Sequence, residues 1–408
     1  MRNSDHVYNV SLMPIEPILF TDNRSARAGE DHLIQDQDPS PHTIYGAIGA
    51  CVAGMFGAEI SSNDWQKKQV DQYLGDFVTD LSKGDSSRSE LIGYHYKDTA
   101  GNTWFPRPQH IRLRQTETKE KKVIVRIASG GQPKKQEDMR IESSLQEFDE
   151  FLDYEIDEQE CDLPDLFSKD LLKTCLCGSI TTNPLEPRTH RLALDYIYRH
   201  ENRLGLGMNY ERNQAMTGRL FSRPYRRYRA QIDENGIWSA ISIRAYFKTI
   251  APLEDEQINT KRIALLGGDR GRAVAEFESA GVDKPLLDLC RAVQSAADGS
   301  QGFYLYLLTP AVWEGEWPII EGQKPLAAAI GKDQAVSGWN SVQENQHPRP
   351  IRRLLPAGSV LFYPWPAGKP DQQLIHDYWL EPLTYQKGEH YRNSGFGRLL
   401  IGVWKNEN

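Results

Sequence analysis

The chain has 408 residues, of which 25% are charged and 39% hydrophobic, and its formal net charge is −8. That length exceeds one ordinary domain, so two or three are expected, and no apolar run approaches membrane-spanning length. Five cysteines are an odd number for a large chain, and the first fourteen residues hold no apolar leader, which together argue for a reducing cytoplasm and against a disulfide framework.

In chain order, the first strand candidates are Tyr8–Leu12 and Ile15–Phe20, and the second gives way to a loop carrying Arg24 and Arg27. Pro41 biases its predecessor away from helix, and Thr43 is a suitable N-cap for a helix over Thr43–Phe56. Gly46, Ala50, Gly54 and Gly57 recur at helical spacing there, a stripe almost free of side chains that can approach another backbone closely. A helix start offers free N–H groups and partial positive charge, and with Arg24, Arg27 and His42 nearby it suits an anionic backbone such as RNA phosphate. The same residues also read as a strand, a loop and a packed helix with no ligand. A second helix is expected at Trp65–Tyr73. Lys119 to Lys122, Val123 to Val125 and Gly130 to Lys135 read as a strand leading into a basic loop.

Charge is unevenly spread. Between Glu137 and Asp170 lie 14 acidic residues and two basic ones, a net of −12, which leaves +4 across the rest. This acidic stretch reads as a solvated insertion, with a partner-docking arm as the alternative. Cys175 and Cys177 have no second Cys or His pair at ligand spacing, so they read as idle thiols. Between Arg188 and Arg229 lie ten arginines, no lysine and three acids, interleaved with six aromatic rings. Arginine forks match phosphate oxygens, and arginine planes and tyrosine rings stack on unpaired bases, so this stretch points to nucleic acid. A solvated surface is the simpler account, but it would mix lysine with arginine.

Further strands are expected at Tyr228–Asp233 and Ile237–Phe247, joined by a turn at Asp233–Gly236, where Asn-Gly is a hairpin signal. Leu265 to Arg272 holds a glycine turn, Gly267 and Gly268, with Arg270 beside it. A helix at Lys284–Ala296 precedes strands at Gly302–Thr309, Ser359–Tyr363 and Leu399–Trp404. Gly338-Trp339 stands before Arg349, Arg352 and Arg353, and Gly395-Phe396-Gly397-Arg398 precedes the last strand. Many strands, few helices and no regular β-α-β repeat define an α+β class with antiparallel sheets. None of the glycine runs matches a phosphate-binding loop of nucleotidases or a dinucleotide fingerprint. The ten histidines are scattered, His376-Asp377 lacks supporting ligands, and acids do not cluster outside 137–170. The chain therefore reads as a binder and not an enzyme, with no cofactor and no metal site expected.

Several of these segments together resemble one family. LFTDNRSARAG (19–29) and PSPHTIYGAIGA (39–50) are similar to the N-terminal signature of the RAMP superfamily of CRISPR-associated proteins, specifically the subunit of type III-B (Cmr) effector complexes that holds the guide RNA 5′ tag. Thr189-His190-Arg191, Gly218 to Phe221, Leu266 to Arg270, Leu307 to Pro310, Val336 to Trp339, Arg353 to Phe362 and Gly395 to Gly402 continue the pattern in order. The resemblance implies two tandem ferredoxin-like (RNA-recognition-motif-like) domains, placed at 1–250 and 251–408, with an insertion at about 58–185 and the junction between Thr249 and Gly299. It also implies guide RNA, a large palm-domain subunit and a backbone RAMP subunit as partners, with target RNA reached only through the guide and no membrane. The residues expected at RNA are Arg24, Arg27, His42, Thr43, Tyr45, Gly46, His190, Arg191, Arg219, Arg223, Arg226, Arg227, Gly267, Gly268, Arg270, Gly338, Trp339, Arg352, Arg353, Gly395, Gly397 and Arg398. Because some RAMP relatives cleave RNA with a histidine base, His42 and His190 make a guide-processing ribonuclease the alternative, beside the tag-holding subunit of another type III subtype.

Overall fold

The computed structural model describes residues 6–20, 38–57, 73–74, 89–117, 123–129, 166–178, 197–209, 214–231, 238–279, 281–313, 317–331, 334–337, 339–340, 347–348, 351–383, 391 and 393–405. Helices and antiparallel sheets mix, the α+β class read from the sequence. In chain order the first half contains β1 (Val7–Pro14), α1 (Pro41–Met55), β2 (Glu90–Asp98), β3 (Thr103–Pro106), β4 (Ile111–Glu117) and β5 (Val123–Ser129). It continues with β6 (Leu166–Ser168), α2 (Lys169–Leu176), β7 (Arg199–Asn209), β8 (Gln214–Arg227), β9 (Arg229–Gln231), β10 (Trp238–Lys248), a single helical turn α3 (Asp255–Ile258), β11 (Arg262–Leu265) and β12 (Arg272–Glu278).

The main sheet runs β11-β12-β1-β10-β2-β3-β6, with β9 paired to β10 outside that path. Its central strands are covered on both faces: β1, β10 and β2 bury residues on either side, and Tyr246 of β10 reaches a second core. Tyr8, Val10 and Leu12 of β1 and Ile241, Ile243, Ala245 and Phe247 of β10 join one buried cluster. α1 closes that face. Its Ile44, Ile48 and Val52, spaced four apart, are fully buried in the same cluster. Each buried aliphatic side chain of this kind contributes about 1.5–3 kcal/mol.

The second half begins with α4 (Lys284–Ala296) and a four-stranded sheet of order β15-β20-β13-β21, formed by β13 (Gly302–Leu307), β15 (Ala327–Ala329), β20 (Val360–Pro364) and β21 (Leu399–Trp404). β14 (Ala311–Val312), β19 (Arg352–Leu355) and β16 (Gln334–Val336) form a small sheet, and β17 (Trp339–Asn340) pairs with β18 (His347–Pro348). α4 lays Leu286, Leu289, Cys290 and Val293 into a core with β13, β21 and α5 (Gln372–Tyr378). β13 and β21 approach through glycine. A Cβ on Gly402 would lie 2.1 Å from the Tyr304 ring opposite it.

Three sequence expectations need correction. The main sheet extends to Glu278, so β11 and β12 pair with the first half, past residue 250 but inside the expected junction at 249–299. The stretch 58–185 is no mere insertion. Its β2 lies between β10 and β3, and its α2 buries Leu172 and Leu176 in the second core. Ile15–Phe20 forms isolated bridges at Ile18 and Leu19, not a strand. The helix predicted at Trp65–Tyr73 and the acidic run up to Asp165 lie outside the described residues, apart from Tyr73 and the short piece Leu166–Asp170.

Cys51, Cys175, Cys177 and Cys290 are free and buried. Burial pushes the Cys175 thiol up to about 12, away from any reactive thiolate. His95 of β2 is enclosed against Phe105, with ring centroids 5.0 Å apart, and its Nδ1 lies 3.3 Å from the Tyr246 hydroxyl. Burial lowers its pKa to about 3. Since that value lies below the unfolded one of about 6.5, the unfolded chain binds the extra proton. The stabilisation is therefore full above pH 6.5 and declines as pH falls towards 3. Urea titrations of wild type and His95→Gln between pH 7 and 4.5 should show a gap that narrows on acidification; parallel curves would contradict it.

Candidate nucleic-acid interface

The chain begins α1 one turn earlier than its sequence suggests. Ser40 is the N-cap, its Oγ accepting the Thr43 N–H at 3.3 Å, and Pro41 occupies the first helical position, where a missing N–H costs nothing. Thr43 therefore sits inside the first turn, with its hydroxyl 3.0 Å from Ser40 Oγ. Among the described residues, a Cβ on Gly46 or Gly54 of α1, or on Gly57 just after it, would meet nothing within 4 Å, so this glycine stripe packs on none of them.

The Ile18–Phe20 segment gathers the site. Ile18 exchanges backbone hydrogen bonds with Arg226 of β8 at 2.9 and 2.8 Å, and the Leu19 carbonyl accepts the Gly268 N–H at 2.8 Å. The base of the β7–β8 hairpin is thereby tied beside the glycine turn. Gly267 has φ +75°, and a Cβ there would lie 2.6 Å from the Leu19 carbonyl oxygen, so this turn tolerates no side chain. Between the turn and α1 opens a cleft of about 350 Å³, lined among others by Asp38, Ser40, His42, Thr43, Gly46 and Gly267-Gly268. Two segments more than 200 residues apart in sequence thus meet at one concave surface.

Beside it runs the β7–β8 hairpin. Opposed residues share a face, so the pairs Arg199/Arg227, Glu201/Tyr225 and Arg203/Arg223 make one row. Arg203 and Arg227 both donate to Glu201, at 2.8 and 2.5 Å, and Arg203 also lies over the Tyr225 ring at 4.5 Å. Arg223 donates to Asp269 at 2.6 Å, and the Tyr225 hydroxyl reaches the same carboxylate at 2.5 Å. Hydrogen bonds from Arg203 and Arg227 hold the Glu201 carboxyl below the usual range. Burial pushes Asp269 upward, but the bonds from Tyr225 and Arg223 outweigh it and its pKa ends low. Both acids are therefore ionised at neutral pH and hold the arginines splayed along the row. Neither Glu201 nor Asp269 could be assigned this role from sequence, because only the folded turn brings Asp269 to the hairpin.

Arg226 behaves differently. Strand alternation sends it to the opposite face, where it is 3% exposed, bound to Asp38 at 2.5 Å and placed over the Tyr198 ring at 4.2 Å. It fastens the hairpin to the residues leading into α1.

Other expected RNA contacts are corrected by burial. Tyr45 is 3% exposed, with its hydroxyl 2.9 Å from Ser89 Oγ, so it belongs to the core. The loop with Gly395 and Gly397 is buried: Leu91 N–H donates to the Asn393 carbonyl, and a Cβ on Gly395 would strike Leu91 at 2.7 Å. Arg398 is 2% exposed, its guanidinium donating to Glu90 at 2.6 Å and to the Leu380 carbonyl at 3.2 Å. This loop joins the two halves and offers no outward surface. It does support the cleft, because its Phe396 and the nearby Tyr391 pack on His42, with ring centroids 4.8 and 5.3 Å apart.

Arg270 is exposed at the tip of the glycine turn, and Arg352 and Arg353 are exposed on β19. Arg219 lies in β8 and Trp339 in β17, but their side chains, and all of Arg24, Arg27, His190, Arg191 and Gly338, lie outside the described residues. Among the described residues no group of three or more His, Cys, Asp or Glu could hold a metal ion, and no helix is long and apolar enough to cross a membrane.

Comparison with known proteins places the chain among the CRISPR-associated proteins. A family model described as "CRISPR-associated protein (Cas_Cmr3)" matches residues 10–404, and the chain belongs to that family. Among solved structures, a chain of the Type III-B Cmr-beta bound to cognate target RNA, seen by cryo-EM, is 15% identical; the match covers 97% of this chain and 99% of that one at a TM-score of 0.47. A second, from Cmr-beta bound to cognate target RNA and AMPPnP, is 16% identical over 96% of this chain and 98% of that one, at a TM-score of 0.45. No curated protein gives a match.

Proposed function

We propose that this Cmr3-family chain is the RNA-holding subunit of a type III-B effector complex, clasping the 5′ repeat-derived tag of the guide RNA and cutting nothing. Guide pairing then selects the target, while this subunit recognises backbone and splayed bases of the tag. The observation that carries the reading is the meeting of α1's first turn with the Gly267-Gly268 turn at one cleft, with an arginine row alongside. A partly positive helix start, glycine backbone and arginine forks are three ways of meeting an anionic chain. The tandem ferredoxin-like arrangement, the docking of a large palm-domain subunit and contact with a backbone RAMP subunit belong to the same proposal.

Gly46→Val tests the cleft cleanly. Its new side chain meets none of the described residues, so far-UV circular dichroism and thermal melting should match wild type. Guide RNA affinity should fall about tenfold or more, a loss of about 1.4 kcal/mol or greater. Normal affinity would return α1 to plain packing.

RNA cleavage needs a base and an acid about one phosphate, or clustered carboxylates with metal. His42 is wedged between aromatic rings, and Asp38 in the same cleft is engaged by Arg226. Repeat RNA incubated with the protein, with or without divalent metal, should be recovered at full length. Specific cleavage abolished by His42→Ala or His190→Ala would promote the ribonuclease alternative.

A further inference from the structure

We propose that Asp38 is the base-reading residue of the cleft: one of its carboxylate oxygens accepts an amino hydrogen of a splayed RNA base, which selects guanine, adenine or cytosine there over uracil. The inference rests on the RNA-holding reading above and deepens it. Asp38 lines the cleft, with its side chain 56% exposed. Its Oδ1 accepts from Arg226 at 2.5 Å, and no partner for Oδ2 occurs among the described residues. An acid that enters an RNA site needs a reason to be there.

The acceptor is fixed before any ligand arrives. Arg226 is almost wholly buried over the Tyr198 ring, and its backbone is bonded to Ile18. Pro39, the next residue after Asp38, is buried, and its carbonyl accepts the Tyr94 hydroxyl at 2.8 Å. A group held this way by its surroundings loses little freedom on binding, which is what discrimination between similar ligands requires.

The lining decides which part of the RNA enters. No lysine or arginine lines the cleft. At the start of α1, Pro41 brings no N–H and the Thr43 N–H is taken by Ser40, while the nearby Arg226 is spent on Asp38. A phosphate there would set its oxygens against the lone pairs of Asp38. Phosphates are better served outside the cleft, by the arginine row of β7–β8.

A base meets the opposite conditions. At about 350 Å³ the cleft has the volume of a small-molecule site. Leu19, Phe20, Ala47 and Leu265 give it apolar walls, and the glycines of α1 and of the 267–268 turn leave room for a flat ring. Unpaired bases are recognised by such stacking together with hydrogen bonds to their edges. Guanine, adenine and cytosine each carry an exocyclic amino group that donates to a carboxylate. Uracil offers a single N–H between two carbonyl oxygens, and these the carboxylate repels.

The test measures the affinity of wild type and Asp38→Asn for guide RNAs in which each tag nucleotide other than uridine is changed in turn to uridine. Wild type should lose about tenfold or more at one position. Asp38→Asn, whose amide donates to a uracil carbonyl, should lose that discrimination at this position alone. A nucleoside stripped of its exocyclic amino group, placed at the same position, should cost wild type as much, a measurement that needs no variant protein. If wild type binds every uridine-bearing tag as well as the natural one, or if Asp38→Asn keeps the same penalty, the base contact is overturned while the RNA-holding reading stands. If Asp38→Asn strengthens binding of all the RNAs alike, Asp38 merely repels phosphate and the proposal falls. Wild type that binds no guide RNA would defeat the functional reading itself, and this inference with it.

Discussion

Replacing Arg203, Arg223 and Arg227 together with alanine should weaken guide RNA binding by tenfold to a hundredfold at near-physiological salt, and should flatten its salt dependence. All three lie on one face of the β7–β8 hairpin, fixed by the register that opposes Arg203 to Arg223 and Arg199 to Arg227. For a single-stranded ligand, each phosphate that an arginine neutralises adds roughly 0.7 to the slope of log affinity against log salt, so removing three arginines should lower that slope by about 2. The same substitutions leave Glu201 and Asp269 as uncompensated negative charges beside the RNA path. The converse substitution sharpens the test. Asp269→Asn removes a competitor for Arg223 and should strengthen binding while leaving the hairpin folded. A triple variant whose affinity and salt slope match wild type would remove the hairpin from the interface.

Arg398→Ala should be severely destabilising, by about 3–5 kcal/mol in urea unfolding, and any weakening of RNA binding should follow from unfolding. The guanidinium is almost wholly enclosed and joins β21's entry to Glu90 of β2 and to the Leu380 carbonyl. Removing one partner of a buried pair leaves the other charge without compensation, and here it also leaves a carbonyl short of a donor. Arg398→Met with Glu90→Gln should recover part of the stability, because the apolar stem fills the space and the acid is neutralised. If Arg398→Ala unfolded like wild type yet failed to bind RNA, the sequence expectation of a phosphate contact would be restored.

The contrast between these arginines explains what a sequence can disclose. Arg223, Arg226 and Arg227 look equivalent in the chain, but strand alternation separates Arg223 and Arg227 from Arg226, and the alternation becomes visible only once β8 is known to be a strand. The hairpin leaves little trace in the sequence because its outward rows are charged and its apolar positions are sparse, so it lacks the hydrophobic periodicity that identifies strands. β21 and α4, by contrast, occur at the expected residues, Leu399–Trp404 and Lys284–Ala296. A continuous apolar run and an i, i+3, i+4, i+7 stripe are local signals. β2 is hidden for another reason: it is built into the sheet by pairing with β10, about 150 residues later, and pairing at that distance leaves no local mark. Of the candidate site, the α1 start and the Gly267-Gly268 turn are legible as glycine punctuation. Their meeting at one cleft depends on Ile18–Phe20 bridging them, which is a tertiary fact.

The seam between Glu90-Leu91 and the loop at 393–398 has a consequence for how the chain acquires its structure. Glu90 meets Arg398 across 308 residues, and Leu91 waits for the Asn393 carbonyl from the same distant loop. During synthesis at about 5–20 residues per second, β2 therefore stays without these contacts for roughly 15 to 60 seconds after it leaves the ribosome. Such non-local closure makes the chain's contact order high and its folding slow, with apolar strands exposed in the interval. The nascent protein should be a client of chaperones that shield exposed strands until residues 393–398 arrive to complete the first sheet's far side.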